Sequence, residues 1–381
     1  MRLLHTSDWH IGMLCRNGMT YVKDQEFFIN RICEIAVSEG VEAILIAGDV
    51  FDKSIASKEA LQLYDRAITH ICADLGISVY IIAGNHDGAD RLASLGRLLE
   101  KSGLYIVGAL QAEPVVINHG NTDIYMLPWI TTDKVKNIYS EQADDINSLE
   151  DAYRVVLDDY HSQLNKNHRN ILLSHAFIVN AETSVSDRAA EVGRATMVSA
   201  DVFDGFDYVA LGHIHRPQQI RDNIRYSGTP MIYSFGKEEK QEKSVTILDT
   251  DTMEQIIVPL DQYMKRTTLR GTFDELLKAD YPLEVVDGYV RLEVTDKYIG
   301  FDSIALLREK YRNLLEIESR SYEGSDSVIT MTMDELKMAE TDPGVIFGRY
   351  CEDIVGEAPN EHMKELFMTA LKSYEQEVSE S

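Results

Sequence analysis

Short, continuous apolar runs alternate with longer amphipathic stretches along the first two thirds of the chain, and five of the apolar runs end at side chains able to bind a metal. Arg2-Leu3-Leu4-His5-Thr6-Ser7 leads into Asp8-Trp9-His10, and Ala43-Ile44-Leu45-Ile46-Ala47 into Gly48-Asp49. Val79-Tyr80-Ile81-Ile82-Ala83 leads into Gly84-Asn85-His86-Asp87. Ile171-Leu172-Leu173-Ser174 stops at His175, and Tyr208-Val209-Ala210-Leu211 stops at Gly212-His213-Ile214-His215. An apolar run of strand length without alternation predicts a strand buried on both faces, as in a sheet covered by helices. In such sheets ligands bind beyond the carboxyl ends of the strands. The pattern therefore predicts that Asp8, His10, Asp49, Asn85, His175, His213 and His215 share one cleft.

Between the strands, apolar residues recur at helical spacing from Asp24 to Glu39, from Ser57 to Leu75 and from Asp144 to Leu164. Gly40 and Gly76 stand where a glycine closes a helix. This alternation is βαβ grammar. After His215 the pattern changes: Ile224 to Pro230 and Ser244 to Leu248 read as strands of a second sheet packed on the first. Residues 266–335 read as a small α+β unit, with a strand over Tyr289–Val294, a helix over Ile304–Leu315 and a strand over Ser327–Met333. Asp342-Pro343-Gly344 marks a boundary. Beyond it Met363, Leu366, Phe367, Ala370, Leu371, Tyr374 and Val378 form an apolar stripe at helical spacing. That stripe either folds onto its own domain or docks on a partner helix.

Composition narrows the class. With 44% hydrophobic and 26% charged residues the chain is that of an ordinary soluble protein. No apolar stretch has the roughly 20 residues a membrane span needs, and the first strand begins at once, without the pattern of a signal peptide. Cys15, Cys33, Cys72 and Cys351 lie far apart with no CxxC pair, which predicts reduced thiols and a cytoplasmic setting. A net charge of −26 argues against a broad basic face that coats nucleic acid. It leaves a phosphate substrate open, because divalent cations reverse the local potential at a cleft.

The residue types narrow the chemistry. Glycine precedes Asp49, Asn85 and His213, which predicts sharp turns off the strands and a backbone that approaches the metals closely. Imidazole, carboxylate and one amide oxygen, with no sulfur, favour an octahedral ion of the Mn²⁺ type over structural zinc; so many nitrogens disfavour calcium. Two such ions about 3.5–4 Å apart activate a water and clamp a phosphoryl oxygen, the requirement of phosphate ester hydrolysis.

Asp8-x-His10, Gly48-Asp49-x-x-Asp52, Gly84-Asn85-His86-Asp87, His175 and Gly212-His213-x-His215 stand in the order of the motifs of the calcineurin-like metallophosphoesterases, a family that the chain resembles. His5 to His10, Ala47 to Asp52 and Tyr208 to Pro217 are similar to its branch of double-strand-break repair nucleases. The resemblance implies an α/β fold of two packed mixed sheets flanked by helices, over residues 1–262, with a small α+β capping domain at 266–335 and C-terminal helices at 342–381. It implies that Asp8, His10, Asp49 and His215 bind one metal, and that Asp49 bridges to a second completed by Asn85, His175 and His213. The ions implied are Mn²⁺, with Mg²⁺ as the alternative. His86 resembles the catalytic histidine that protonates the leaving oxygen, while Asp52 and Asp87 would orient the imidazoles. Arg91, Arg188, Arg194 and Arg216 lie near the motif loops as candidate DNA contacts. The remaining histidines, His5, His70, His119, His161, His168 and His362, read as packing or surface residues.

By the same resemblance the partners are a long coiled-coil ABC-type ATPase and double-stranded DNA ends and hairpins, with the chain itself a homodimer. Two other functions fit the same residues: a phosphoesterase acting on small molecules or cyclic nucleotides, and a non-catalytic scaffold that bridges DNA ends for the ATPase.

Overall fold

The apolar runs are buried on both faces because each belongs to a sheet held between a shared inner layer and outer helices. A computed structural model describes residues 1–15, 19–184, 186–187, 197–296, 301–319, 343–351 and 358–379. Arg188, Arg194 and the strand expected over Ser327–Met333 lie outside the described residues.

Two six-stranded sheets carry the fold. The first is ordered β12 (Gln255–Pro259), β11 (Ser244–Asp249), β1 (Arg2–Thr6), β2 (Ala43–Ile46), β3 (Ser78–Ile82), β4 (Leu104–Val107). The second is ordered β5 (Val116–His119), β6 (Thr122–Leu127), β7 (Arg169–His175), β8 (Tyr208–Gly212), β10 (Ile224–Tyr226), β9 (Gln218–Arg221). Both are mixed: β1 to β4 pair in parallel, as do β6 to β8 with β10, while β11, β12, β5 and β9 add antiparallel edges.

Strand alternation sorts the side chains into three layers. Leu3, Ala43, Leu45, Tyr80 and Ile82 of the first sheet meet Ile124, Met126, Ile171, Leu173, Tyr208 and Ala210 of the second. Their neighbours Leu4, Ile44, Ile46, Val79 and Ile81 point outward, into one core with the helices Val22–Ser38 and Lys58–Thr69. Leu172, Val209 and Leu211 pack outward against the helix Leu149–Ser162. That helix opens on a capping box in which Ser148 and Asp151 satisfy each other's amides. Gly40 and Gly76 close the first two helical stretches in left-handed conformations, with φ of +63° and +67°.

Two expectations change. The chain passes to the second sheet after β4 rather than after His215, and Ser244–Asp249 returns to pair antiparallel with β1. Both sheets are covered on both faces, so burial alone does not reveal the division. The stretch Ile304–Leu315 is a helix only as part of Phe301–Lys310; Asn313–Ser319 is a strand. Leu314 and Leu315 fit a helical stripe and a buried strand equally well in sequence.

The chain divides into two compact units: Met1–Leu269 with Asp280–Arg291 and Arg308–Glu316, and the described parts of Arg270–Ala279, Leu292–Leu307 and Ile317–Ser381. In the second, the helices Pro343–Tyr350 and Glu361–Ser379 pack together, Phe347 stacking on Phe367 at 4.4 Å between ring centroids. Leu366 on the same helix is 58% exposed. Among the described residues no helix is long and apolar enough to cross a membrane, and the four cysteines are free thiols.

Candidate metal centre

Parallel register brings the carboxyl ends of β1, β2 and β3 to one edge of the first sheet, with Thr6 opposite Ile46 and Ile46 opposite Ile81. In the second sheet His175 at the end of β7 lies opposite Gly212 at the end of β8. Beyond β1 and β2 the two loops run side by side: Asp8 and His10 donate their amides to the carbonyls of Gly48 and Asp49, both at 3.0 Å. Four ligand candidates, Asp8, His10, Asp49 and His213, have positive φ, a conformation that Asp and His adopt more readily than most residues and that tends to collect at functional sites.

The seven expected side chains converge. Nε2 of His10 lies 3.1 Å from Nε2 of His215, and both rings gather with the Asp8 carboxylate in a buried cluster. Asn85 Oδ1 lies 3.0 Å from His175 Nε2 and 3.0 Å from His213 Nδ1, while those two nitrogens are 3.3 Å apart. Asp49 stands between the groups. Its Oδ2 is 3.4 Å from His175 Nε2 and 4.0 Å from His86 Nε2, and its ligand atoms group with His10 and His86 on one side and with Asp8 and His175 on the other.

These contacts fit a cation. His175 donates Nδ1–H to the Ala47 carbonyl at 2.7 Å, so its neutral ring turns a lone pair toward the Asn85 amide oxygen. Two acceptors at 3.0 Å repel unless a proton or a metal ion lies between them. Burial, reinforced by neighbouring charges, keeps His10 and His215 neutral by lowering their pKa well below the usual value, and brings His213 to about 3. Three lone pairs thus stand ready for coordination. Burial opposes the charged form of His175, but the Asp49 and Asp8 carboxylates outweigh it and push its pKa up to about 9. Burial raises Asp8 to about 7; around Asp49 it acts in the same sense, yet His175 and the other imidazoles hold that carboxyl well below the usual range.

The neighbours of the ligands differ in part from expectation. His86 Nδ1 donates to the backbone carbonyl of Asp52 at 2.9 Å, so that contact is made by the main chain of Asp52 and not by its carboxylate. Asp87 holds amides rather than rings: its carboxylate accepts from Gly84 at 2.9 Å, Phe51 at 2.9 Å and Val50 at 3.2 Å, fastening the loop of Asn85 to that of Asp49. The glycines act mainly through space. A Cβ on Gly48 would meet the His175 ring, one on Gly84 the Asp49 carboxylate and one on Gly212 the Ala47 carbonyl, and only Gly48 turns with positive φ, +85°. Arg91 donates to the Ser54 carbonyl at 3.0 Å, and Arg216 pairs with Glu182. His5, fully buried, bonds Tyr208 and the Leu211 carbonyl within the core.

Sequence reading missed Trp129, Ser186 and Lys243. Trp129 follows β6 and stacks on His213; the run Ile124-Tyr125-Met126-Leu127 before it was the signal, a further apolar strand whose end carries an aromatic in place of a ligand. Ser186 lies 2.7 Å from His215 Nδ1, and Lys243 donates to the His215 carbonyl at 2.9 Å. Neither is marked by any local pattern.

The arrangement is that of a metal-dependent phosphoester hydrolase. Residues 1–217 match the family model of the calcineurin-like phosphoesterases, and the chain belongs to that family. It is 29% identical over 331 residues to SbcD, the D component of nuclease SbcCD, from Staphylococcus epidermidis, covering 86% of this chain and 87% of that protein. With the SbcD of Staphylococcus saprophyticus it shares 28% identity over 377 residues, 97% of this chain and 98% of that one. A dimetal phosphatase from Danio rerio aligns at a TM-score of 0.38 and 11% identity, over 68% of this chain and 99% of that one.

Proposed function

We propose that this chain is the nuclease subunit of an SbcCD-type complex, cutting DNA phosphodiester bonds in recombination, replication and repair. The observation that carries the reading is the convergence of Asp8, His10, Asp49, Asn85, His175, His213 and His215 beyond the ends of five strands, in a chain that aligns along nearly its whole length with SbcD proteins. The partner is an SbcC-type coiled-coil ATPase, and the substrates are double-stranded ends, hairpins and single strands. Residues 1–262 form the nuclease domain, 266–335 a smaller domain that contacts the DNA, and the C-terminal helices after residue 342 dock on the ATPase. Two copies of the chain pair within the complex, in the cytoplasm.

Asp8, His10, Asp49 and His215 hold one divalent ion; Asp49, Asn85, His175 and His213 hold the other. Mn²⁺ is the first choice and Mg²⁺ the second. The bound ions supply Lewis acidity and lower the pKa of water to near neutrality. The chain supplies the rest. With Nδ1 of His86 committed to the Asp52 carbonyl, Nε2 is the atom that presents a proton to the leaving oxygen. Asn85 is exposed, which leaves that side of the cleft open to a polymer strand. Arg91, Arg188 and Arg216 are the candidate phosphate contacts. A net charge of −26 leaves most of the remaining grip to the metals and the partner.

The test compares end-labelled duplex DNA, a DNA hairpin and bis-p-nitrophenyl phosphate as substrates, in manganese, with and without the ATPase. Cleavage of both DNAs that is lost in Asp8→Ala supports the proposal. Turnover of the small ester alone, even with the ATPase present, replaces it with a small-molecule phosphoesterase. DNA bridging with no hydrolysis of any substrate replaces it with a scaffold.

A further inference from the structure

The loop that carries His10 is gripped from behind by one side chain, that of Gln25 in the first turns of the helix Val22–Ser38. Gln25 is fully buried. Its Nε2 donates to the carbonyl of His10 at 2.8 Å, and its Oε1 accepts the amide of Gly12 at 3.1 Å. The same Nε2 reaches the hydroxyl of Tyr233 at 3.3 Å, and that hydroxyl donates to the carbonyl of Trp9 at 2.6 Å. Burying an amide side chain is costly unless its donor and its acceptor are both paired. Here both are committed to the main chain on either side of Ile11, and an ionised carboxylate or an apolar side chain could not make both bonds.

The main chain gripped in this way is a strained one. His10 has φ of +43°, a conformation that a residue other than glycine keeps only where its surroundings hold it. Gly12 follows at +90°. The helix turn that holds them is itself anchored by residues far along the chain. Asp24 accepts the hydroxyl of Tyr289, 265 residues later, at 2.8 Å. Tyr21, just before the helix, accepts from Arg266, 245 residues later, at 2.9 Å. The buried Arg266 guanidinium lies over the rings of Tyr21, Phe235 and Tyr289, at 5.5, 4.8 and 5.1 Å from their centroids. All of these residues belong to the first compact unit.

We propose that Gln25 is a positioning residue for the metal centre: its amide clamps the main chain of His10 and Gly12, and Arg266 and Tyr289 fix the helix turn that carries it. The inference rests on the metal-centre reading above, since the clamp matters only if His10 coordinates a divalent ion. Gln25 does not touch the ion in this reading; it sets where the His10 ring is carried. Outer hydrogen-bond partners of metal ligands typically change metal affinity by about 10–100-fold. The site would then depend on residues beyond 262, although every candidate ligand lies before that point.

The experiment uses the full chain, first metal-free, for amide hydrogen exchange followed by nuclear magnetic resonance, and then titrated with Mn²⁺ by calorimetry. In the wild type the Gly12 amide is expected to exchange slowly. Gln25→Met keeps the length of the side chain and removes both bonds. It is expected to speed exchange at Gly12 and to weaken one of the two Mn²⁺ sites by about tenfold or more, leaving the other unchanged. Tyr289→Phe removes a single hydroxyl and is expected to weaken the same site by about two- to tenfold. Wild-type affinity in a folded Gln25→Met overturns the clamp, and wild-type affinity in Tyr289→Phe overturns the anchoring of its helix turn. If Gln25→Met does not fold, the wild type decides: a Gly12 amide that exchanges like an unbonded one overturns the proposal. Absence of Mn²⁺ binding by the wild type would instead overturn the metal-centre reading, while exchange at Gly12 would still decide whether the clamp exists.

Discussion

The indole of Trp129 lies nearly flat against the imidazole of His213, with ring centroids 5.2 Å apart and planes inclined by 20°. Phe177 flanks the same ring at 5.6 Å. The rings of His175 and His86 are oriented by hydrogen bonds from Nδ1 to the carbonyls of Ala47 and Asp52, and Nδ1 of His215 shares a hydrogen bond with Ser186, whereas His213 is set by stacking. Trp129→Ala is therefore expected to weaken one of the two Mn²⁺ sites by about tenfold or more, with Trp129→Phe restoring most of the loss. Calorimetric titration measures both; wild-type affinity in Trp129→Ala would assign the stack to packing alone.

His86→Ala separates proton transfer from metal binding. Because His86 Nε2 lies 4.0 Å from Asp49 and the seven other side chains account for the ligand set, the variant should retain two Mn²⁺ ions. Hydrolysis should fall by about 10²–10⁴-fold, the usual range for removing a general acid. Metal analysis beside a turnover assay checks this, and loss of an ion with the activity would place His86 among the ligands.

The pH dependence of metal binding should lie above the range of an ordinary histidine. The carboxylates of Asp49 and Asp8 overcome burial to raise His175 to about 9, and burial raises Asp8 to about 7. Both groups must lose a proton before they coordinate, so Mn²⁺ affinity rises as pH climbs through these values and levels off above the higher one. Imidazole ligands with unshifted pKa would instead complete the rise near pH 6.5. Calorimetry at a series of pH values distinguishes the two, and a flat affinity between about pH 7 and 9 would remove His175 from the ligand set.

Gly212→Ala should destabilise the fold by about 1–3 kcal/mol, because its Cβ would run into the Ala47 carbonyl and crowd the His175 ring, and neither can move away from a packed strand. Gly348→Ala provides the control: its Cβ meets open space on the helix Pro343–Tyr350, and the change should be neutral or slightly stabilising. Urea unfolding of the two variants gives the comparison.

The five strands and the cleft beyond them were legible because each apolar run stops abruptly at a polar side chain, and a strand's direction fixes where its end lies. The division into two sheets was not, since inward and outward faces are equally apolar in β1, β2, β7 and β8. The gathering of the candidate ligands was also legible, from residue type and offset. Their supporting contacts were not. Asp52 acts through its carbonyl, which every residue possesses, and Asp87 through backbone amides. Ser186 and Lys243 reach His215 only after the chain folds back. The helix expected over Ile304–Leu315 stops at Lys310 for a simpler reason: the adjacent leucines Leu314 and Leu315 suit either period and lie in a strand.

The candidate ligands come from both halves of the sandwich: Asp8, His10, Asp49 and Asn85 from the loops of one sheet, His175, His213 and His215 from the other. A divalent ion seated there would act as a rivet through the seam, tying hydrolytic competence to the mating of the two leaves. Chelation should therefore do more than silence the protein. It should let the leaves part more readily, so that protease sensitivity along the seam reports metal loading before any substrate is added.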